Sequence, residues 1–384
     1  MKKITLKPKS GYFGDFGGNF TSELLYPALF ELRQVFSKLK NDRQFLAAYQ
    51  GYLYSFAGRP TPLYFASNLS ELAGCRVYLK REDLVNGGSH KLNNTLGQAL
   101  LTCALGKKEI ITETGAGMNG VAAAMTASVL GLKCKVFMGV KDIQRQSLNA
   151  DKIRLLGAEV VPVARGEGIL KDAISEATVY WIRNLPACHY LIGSTVGPAP
   201  FPEMVAFFQK IIGFEARRQI LQLEKRLPTK IIACGSGGSN AIGIFQAFVN
   251  TPSELIFVEG AESAALTSGS IGVFQGAKTY VLQDEYGMDK RTTSRAAGLN
   301  HPARGPQISY LYKTGRVKAA TANNQEVIAV FREIGRLEGL LPALETCHAL
   351  AYLLRKKGEF DKKDLVILNF SGRGDKDIET ILKI

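Results

Sequence analysis

Nowhere in the 384 residues is there an apolar run approaching the roughly 20 residues that a membrane helix requires. The more apolar stretches, such as Leu255–Val258 and Leu365–Phe370, are of strand length, so no membrane partner is expected. Cysteine is sparse: Cys75, Cys103, Cys134, Cys188, Cys234 and Cys347 never fall in Cys-x-x-Cys spacing, which argues against a zinc site or a disulfide framework. They read as buried thiols of a reducing compartment. His189, His301 and His348 have no metal spacing either and read as structural. The chain starts Met1-Lys2-Lys3-Ile4-Thr5-Leu6, without the apolar stretch of a secretory signal, and a cytoplasmic location is expected. No known nucleic-acid module is present. The formal charge is +14, but its basic residues are scattered, with only short runs such as Lys107-Lys108 and Lys362-Lys363, so no nucleic-acid partner is expected. There is no internal repeat and no low-complexity linker.

What is there is ordinary soluble-protein composition, 46% apolar and 21% charged, in a chain long enough for two domains. From about residue 75, strand-length runs alternate with helix-length segments, as parallel strands joined by crossover helices require. Strands are predicted at Arg76–Lys80, Glu109–Thr112, Lys133–Met138, Glu159–Val163, Lys230–Cys234, Leu255–Val258 and Leu365–Phe370. Helices are predicted at Leu92–Leu105, Gly120–Leu130, Gln144–Leu156, Pro202–Leu223, Ala241–Phe248, Gln325–Glu338 and Cys347–Leu354. Residues 265–320 read as irregular. The expected class is α/β, in two lobes: 1–52 with 86–200, carrying an inserted mobile segment, and 53–85 with 201–384.

Three glycine loops stand between a strand and a helix. Gly235-Ser236-Gly237-Gly238-Ser239-Asn240 comes after Lys230–Cys234, and its amides together with the helix dipole suit an anion. A dinucleotide site is the competing reading, since Glu259 lies near where a ribose-binding acid would stand. Asn240 in place of the third glycine, and two serines in the loop, favour a terminal phosphate. Asn86-Gly87-Gly88-Ser89-His90-Lys91 delivers a lysine to the first turn of a helix, where the dipole and burial lower an amine's pKa; a solvated surface lysine is the plain alternative. Glu113-Thr114-Gly115-Ala116-Gly117 offers amides to a carboxylate beside an acid suited to proton transfer, or is an ordinary turn. Leu365–Phe370 runs into Ser371-Gly372-Arg373-Gly374-Asp375, with Pro342-Ala343-Leu344-Glu345 upstream.

In this order, and over nearly the whole chain, these segments resemble the tryptophan synthase β chain. Gly11-Tyr12-Phe13-Gly14-Asp15-Phe16-Gly17-Gly18, Gly58-Arg59-Pro60-Thr61-Pro62-Leu63 and Leu79-Lys80-Arg81-Glu82-Asp83-Leu84 add to the likeness. The resemblance implies a fold-type II pyridoxal 5'-phosphate enzyme, with twisted, mostly parallel sheets flanked by helices and the cofactor in the cleft between two lobes. It implies that Lys91 carries the cofactor as a Schiff base and that His90 adjoins its phosphate. Ser194, Ser236, Gly237, Gly238, Ser239, Asn240, Glu345 and Ser371 would complete the cofactor site, Ser371 facing the pyridine nitrogen. Glu113 would assist loss of the leaving group and deprotonate the nucleophile. Thr114, Gly115, Ala116, Gly117, Met118, Asn119, Asn300 and Arg145 would line the substrate side. A monovalent cation held by backbone carbonyls, a homodimer, and an α-type subunit meeting Lys171 are implied as well.

The activity so implied is condensation of L-serine with indole to L-tryptophan. Several residues depart from the family's usual pattern: Met118-Asn119 replaces Gln-His, Asn300 an aspartate, Gln275 an aromatic on the indole route, and Ser236 a glycine, while Arg295 and Arg304 add charge. A diverged β-replacement or β-elimination enzyme with another donor, such as phosphoserine, is therefore the alternative, and an impaired chain serving as a partner subunit is a third.

Overall fold

The computed structural model describes residues 3–384 and divides into two compact units. One comprises the segment ending at Phe20 together with Pro60–Leu84 and Ser194–Ile384; the other comprises Thr21–Arg59 and Val85–Gly193. The expected α/β class holds in both. The segment ending at Phe20 goes with Ser194–Ile384 rather than with Val85–Gly193, because Gly17 pairs with Lys278 in a small antiparallel sheet.

In the unit containing Ser194–Ile384, the main sheet runs Val317–Ala322, Glu254–Gly260, Lys230–Cys234, Leu365–Phe370, Arg76–Arg81, Leu63–Phe65. All neighbours are parallel except the last pair. Leu365–Phe370 is buried at every position, which is why it reads as an unbroken apolar run rather than an alternating one. Helices cover both faces, and the residues beneath them form two apolar clusters, one around Leu350 and Leu368, the other around Phe245 and Phe257. The helix Asn324–Glu338 starts on a reciprocal cap: Asn323 accepts from the Gln325 and Glu326 amides while Glu326 accepts from the Asn323 amide at 2.8 Å.

The second unit holds a parallel sheet in the order Glu159–Val163, Lys133–Gly139, Glu109–Glu113, Cys188–Tyr190. Its core gathers Ile110, Val121, Val136, Ile153 and Leu191 between sheet and helices. The continuous helix predicted over Gln144–Leu156 is two, Val140–Arg145 and Ser147–Leu155, since Gln146 leaves helical dihedrals (φ −127°, ψ 40°). Pro202–Leu223 likewise divides into Phe201–Gln209 and Ile211–Glu224.

The larger correction concerns residues 265–320, which are irregular only in part, mainly over 282–305. They contain a hairpin, Ser270–Phe274 with Ala277–Val281, the helix Pro306–Lys313 and the start of strand Val317–Ala322. The hairpin turn is Gln275-Gly276, with φ of 46° and 83°, the two positive values a tight two-residue hairpin needs. Glutamine is a poor sequence signal for that conformation. Among the described residues no helix is long and apolar enough to cross a membrane.

Leu368 lies wholly buried mid-strand, so Leu368→Ala should cost about 2–5 kcal/mol by lost burial and cavity formation. A denaturant midpoint indistinguishable from that of the unaltered chain would contradict this packing.

Candidate active site

Each unit collects its chemistry at the carboxyl ends of its parallel strands. In the unit with Val85–Gly193, Gly87 and Gly88 take φ of 86° and 84°, turning the chain so that Lys91 opens the helix Lys91–Ala104. A Cβ at Gly87 would lie 2.8 Å from Met125 Sδ, so the turn tolerates little else. The helix is pinned by its polar residues: Tyr49 donates to the Asn93 carbonyl at 2.9 Å, Arg59 to Asn93 Oδ1 at 2.9 Å, and Asn94 to the Ile192 carbonyl at 3.0 Å. Lys91 Nζ donates to the Gly193 carbonyl at 2.8 Å. The amine is thereby held in a half-buried place instead of in solvent, and His90 beside it is buried.

Glu113 ends the strand Glu109–Glu113 and is buried. Burial pushes its pKa up to about 7, against the smaller lowering effects of a hydrogen bond with Tyr190 and the nearby Lys91 charge. Its Oε2 has no hydrogen-bond partner among the described residues. A carboxyl with that pKa can give or take a proton near neutrality.

Of the next residues, Thr114 cannot offer its amide to a ligand. The Thr114 amide donates to Phe137 O at 3.1 Å and so belongs to the ladder. Beyond it, Gly117 (φ 82°) precedes the helix Met118–Leu130 without a side-chain cap, leaving the first-turn amides to an outside acceptor. Asn149 buttresses the loop, its Nδ2 donating to Ala116 O at 2.8 Å and lying 3.7 Å from Met118 Sδ. Asn119 turns inward: its Nδ2 donates to Thr112 Oγ1 at 2.8 Å, and a Cβ on Gly193 would meet its Oδ1 at 2.1 Å. Asn119 thus braces the residue that accepts from Lys91. Arg145 is exposed, and its charge acts on Asp142, whose pKa burial raises to about 6.

In the unit with Ser194–Ile384, the Gly235 amide still belongs to the ladder, donating to Val258 O at 3.0 Å. The Gly237 carbonyl accepts from Thr195 Oγ1 at 2.6 Å and the Gly305 amide at 2.9 Å. Because a trans peptide opposes its C=O and N–H, this points the Gly238 amide away from Thr195 and Gly305. A Cβ at Gly237 would fall 2.0 Å from Ser194 Oγ, and one at Gly235 2.4 Å from the Phe257 ring, so backbone and hydroxyl approach closely only with glycine there. The Asn240 side chain is committed to the sheet, donating to Cys234 O at 2.9 Å and accepting from Asn369 at 3.0 Å. Ser236 Oγ lies 3.4 Å from both His301 O and Arg304 Nη1. With both side chains so engaged, what Ser236 and Asn240 offer an anion is backbone amide.

Ser371 comes directly after strand Leu365–Phe370; its hydroxyl is 3.0 Å from Thr346 Oγ1 and 3.6 Å from Cys234 Sγ. Burial pushes the Cys234 thiol up to about 12, which keeps this neighbour of Ser371 neutral. Glu345 is bound to Lys376 Nζ at 3.0 Å and accepts the Gly298 amide at 2.8 Å. Burial works against its ionisation, but the ammonium more than offsets this. Asn300 Oδ1 accepts the Ser294 amide at 3.2 Å. Gln275 pairs with half-buried His301 at 3.2 Å, and desolvation lowers that imidazole to about 4, keeping it neutral.

Two expectations change. Glu259 is no ribose ligand: it is wholly buried, bonded to Arg304 Nε at 2.6 Å and to the Leu266 amide at 3.0 Å. By the same pairing Arg304, itself unexposed, adds no spare charge to a substrate. Sequence reasoning missed Tyr190 and Gly193, which lie in or just after a three-residue strand too short to recognise, and Thr346 and Cys234 as partners of Ser371.

Two measurements bear on this geometry. Gly117→Ala forces a side chain into positive φ with its Cβ 2.3 Å from Asn149 Cβ, and should raise KM for an amino acid substrate more than tenfold while lowering stability by about 1–3 kcal/mol. For Glu113 the sign is that of a raised carboxyl: its contribution is intact below pH 4.5 and lost as pH rises to about 7. Glu113→Gln should therefore gain stability relative to wild type by on the order of 3 kcal/mol across that window. A pH-independent difference in denaturant midpoint would refute the shift.

A family model described as "Pyridoxal-phosphate dependent enzyme" matches residues 54–372. Among solved structures, the chain is similar to a threonine deaminase from T.th., with a TM-score of 0.67 and 22% identity over 86% of this chain and 98% of that one. At that identity the likeness speaks for the fold. The residues fit the cofactor such a family uses. In one unit Lys91 supplies an anchored, half-buried amine; in the other, the glycines at 235, 237 and 238 let the loop backbone pack against Phe257, Ser194 and Ile308 where a Cβ would collide, and Ser371 supplies a buried hydroxyl. The chain belongs to the pyridoxal-phosphate dependent enzymes.

Proposed function

We propose that the chain catalyses β-replacement on a serine-like amino acid, with indole as the incoming nucleophile and L-tryptophan as product. The observation that carries this reading is Glu113, a buried carboxyl with a pKa near 7, in the same unit as an anchored lysine amine and an uncapped helix start. Replacement at the β-carbon needs a group that gives a proton to a departing hydroxyl and then takes one from the nucleophile, and a carboxyl poised at neutrality does both.

When bound, pyridoxal phosphate supplies the electron sink that lets an amino acid lose its α-hydrogen as a proton. Lys91 would hold the cofactor through its amine, and the same amine would accept that proton. The amides from Gly115 onward bind the substrate carboxylate, which orients the Cα–H bond. Ser371, 3.0 Å from Thr346 Oγ1 and 3.6 Å from Cys234 Sγ, would set a hydroxyl rather than a carboxylate against the ring nitrogen. That restrains charge build-up in the ring and favours loss of the β-substituent over transamination.

A second reading is β-elimination of a hydroxy amino acid to an oxo acid and ammonia. It is favoured by the Gln275–His301 pair, which sets two polar side chains where the resemblance implies an aromatic route, and by Asn300, which carries no charge to meet a serine hydroxyl. A phosphoserine donor loses support, since Arg304 is committed to Glu259 and only the exposed Arg295 remains.

Serine with indole should yield tryptophan, and serine alone only slow keto acid. Lys91→Ala should abolish both, and Glu113→Gln should lower kcat by about 10²–10⁴ with the cofactor absorbance retained. Rapid keto acid formation without any tryptophan would replace the first reading by the second.

A further inference from the structure

Arg304 is among the largest side chains with no exposure at all, and the reaction outlined above makes no use of it. Its guanidinium is encircled by oxygen. Nε binds Glu259 Oε1 at 2.6 Å; Nη1 donates to the carbonyls of His301 and Ala303, each at 3.1 Å, and to Ser236 Oγ at 3.4 Å; Nη2 donates to the Ser263 carbonyl. Three main-chain carbonyls and one carboxylate, two of the carbonyls from Arg304's own loop and the other two groups from residues 259–263, therefore face a single positive charge. Carbonyl dipoles aimed at one point repel one another unless a cation lies among them, and an all-oxygen donor set suits a hard ion without side-chain metal ligands. The resemblance in sequence implies a dissociable monovalent ion held by backbone carbonyls. At this cluster such an ion does not fit, because the guanidinium fills the place.

We propose that Arg304 is a tethered cation, replacing in cis a dissociable monovalent ion and making this enzyme indifferent to inorganic cations. The charge fastens three segments together. Glu259 ends a sheet strand and also accepts the Leu266 and Thr267 amides; the Ser263 carbonyl belongs to the turn just after it. His301 and Ala303 belong to the loop that continues to Gly305, whose amide donates to the Gly237 carbonyl at 2.9 Å. Thr279 Oγ1 donates to the Arg304 carbonyl at 2.5 Å, which ties in the hairpin. Arg304 is thus a positioning residue for the glycine loop. It also accounts for Ser236, whose hydroxyl takes part in the same cluster. A covalently attached charge is present at an effective concentration that no salt change alters.

The test uses the full-length protein carrying its cofactor, in a buffer whose only monovalent cation is tetramethylammonium, too bulky for the cluster. Thermal unfolding is measured as KCl, NaCl or NH₄Cl replaces the tetramethylammonium salt at constant ionic strength. This readout needs no substrate, so it stands even if the assignment of serine and indole fails. The wild-type midpoint should be the same in all salts, and turnover of whichever substrate is accepted should vary less than about twofold. Arg304→Ala should melt several degrees lower in tetramethylammonium, and should recover at least half of that loss with potassium, ammonium or guanidinium well below denaturing concentration. Arg304→Lys, which keeps a tethered charge, should stay insensitive to salt identity. A wild-type protein stabilised or activated severalfold by one inorganic cation would overturn the proposal. So would a folded Arg304→Ala protein that no small cation restores. If Arg304→Ala does not fold, the wild-type series and Arg304→Lys still decide.

Discussion

Parallel strands bonded in register bring their carboxyl ends to one level, and everything chemical in each unit hangs on that constraint. In the larger sheet, Leu368 pairs with Ile232 and Val258 with Cys234, so Ser371, Gly235 and Glu259 leave the sheet at neighbouring heights. In the smaller sheet, Glu113 pairs with Phe137, and Ile111 with Tyr190, which sets Glu113 and the Leu191–Gly193 stretch side by side. Strands buried on both faces admit almost only apolar residues along their length. Polar function is thereby pushed into the loops just beyond. The amine, the acid and the amide cradles are products of strand ends.

Buried charge is treated in two ways. Lys80 is paired with Glu215 at 2.7 Å, Arg304 with Glu259 at 2.6 Å, and Lys376 with Asp377 at 2.7 Å, each inside the larger unit and each nearly or wholly unexposed. Losing one partner of such a pair leaves a charge that water cannot reach, so these pairs act as fasteners. Glu113 is handled differently. Its neighbours do not offset its burial, and it is left able to bind a proton near neutrality. The contrast separates charges that hold loops in place from the one left able to bind a proton near neutrality.

The substrate side is where the chain departs most from the family it resembles, and the departures support one another. Gln275 occupies a positive-φ hairpin turn and pairs with His301, whose own carbonyl accepts from Arg304, whose guanidinium meets the hydroxyl of Ser236. Ser236, Gln275 and Arg304, each unusual alone, form one bonded set. A change at any one alters what the others must satisfy.

Much of the frame was legible in the linear chain. Lys230–Cys234, Glu159–Val163 and Leu365–Phe370 are strands over the ranges their composition predicts, and the loops at 86–91, 113–117 and 235–240 stand out by their glycines and by the helix that each one leads into. Such features are local: a buried strand must be apolar, and a tight turn or close backbone approach must lack a Cβ. The hairpin within 265–320 was not legible, because Gln275 takes a conformation its type seldom adopts, and a three-residue strand such as Cys188–Tyr190 carries no pattern. Nor could sequence say that Arg304 would spend its charge on Glu259, 45 residues away, or that Asn240 would bond Asn369 rather than a ligand. By itself the sequence determined where strands, turns and candidate reactive groups occur, since each follows from the size and polarity of adjacent residues. Tertiary structure alone decided which charges are cancelled, which acid is left protonatable and which side chains bond one another, because those depend on burial and on partners that only folding brings within a few ångströms.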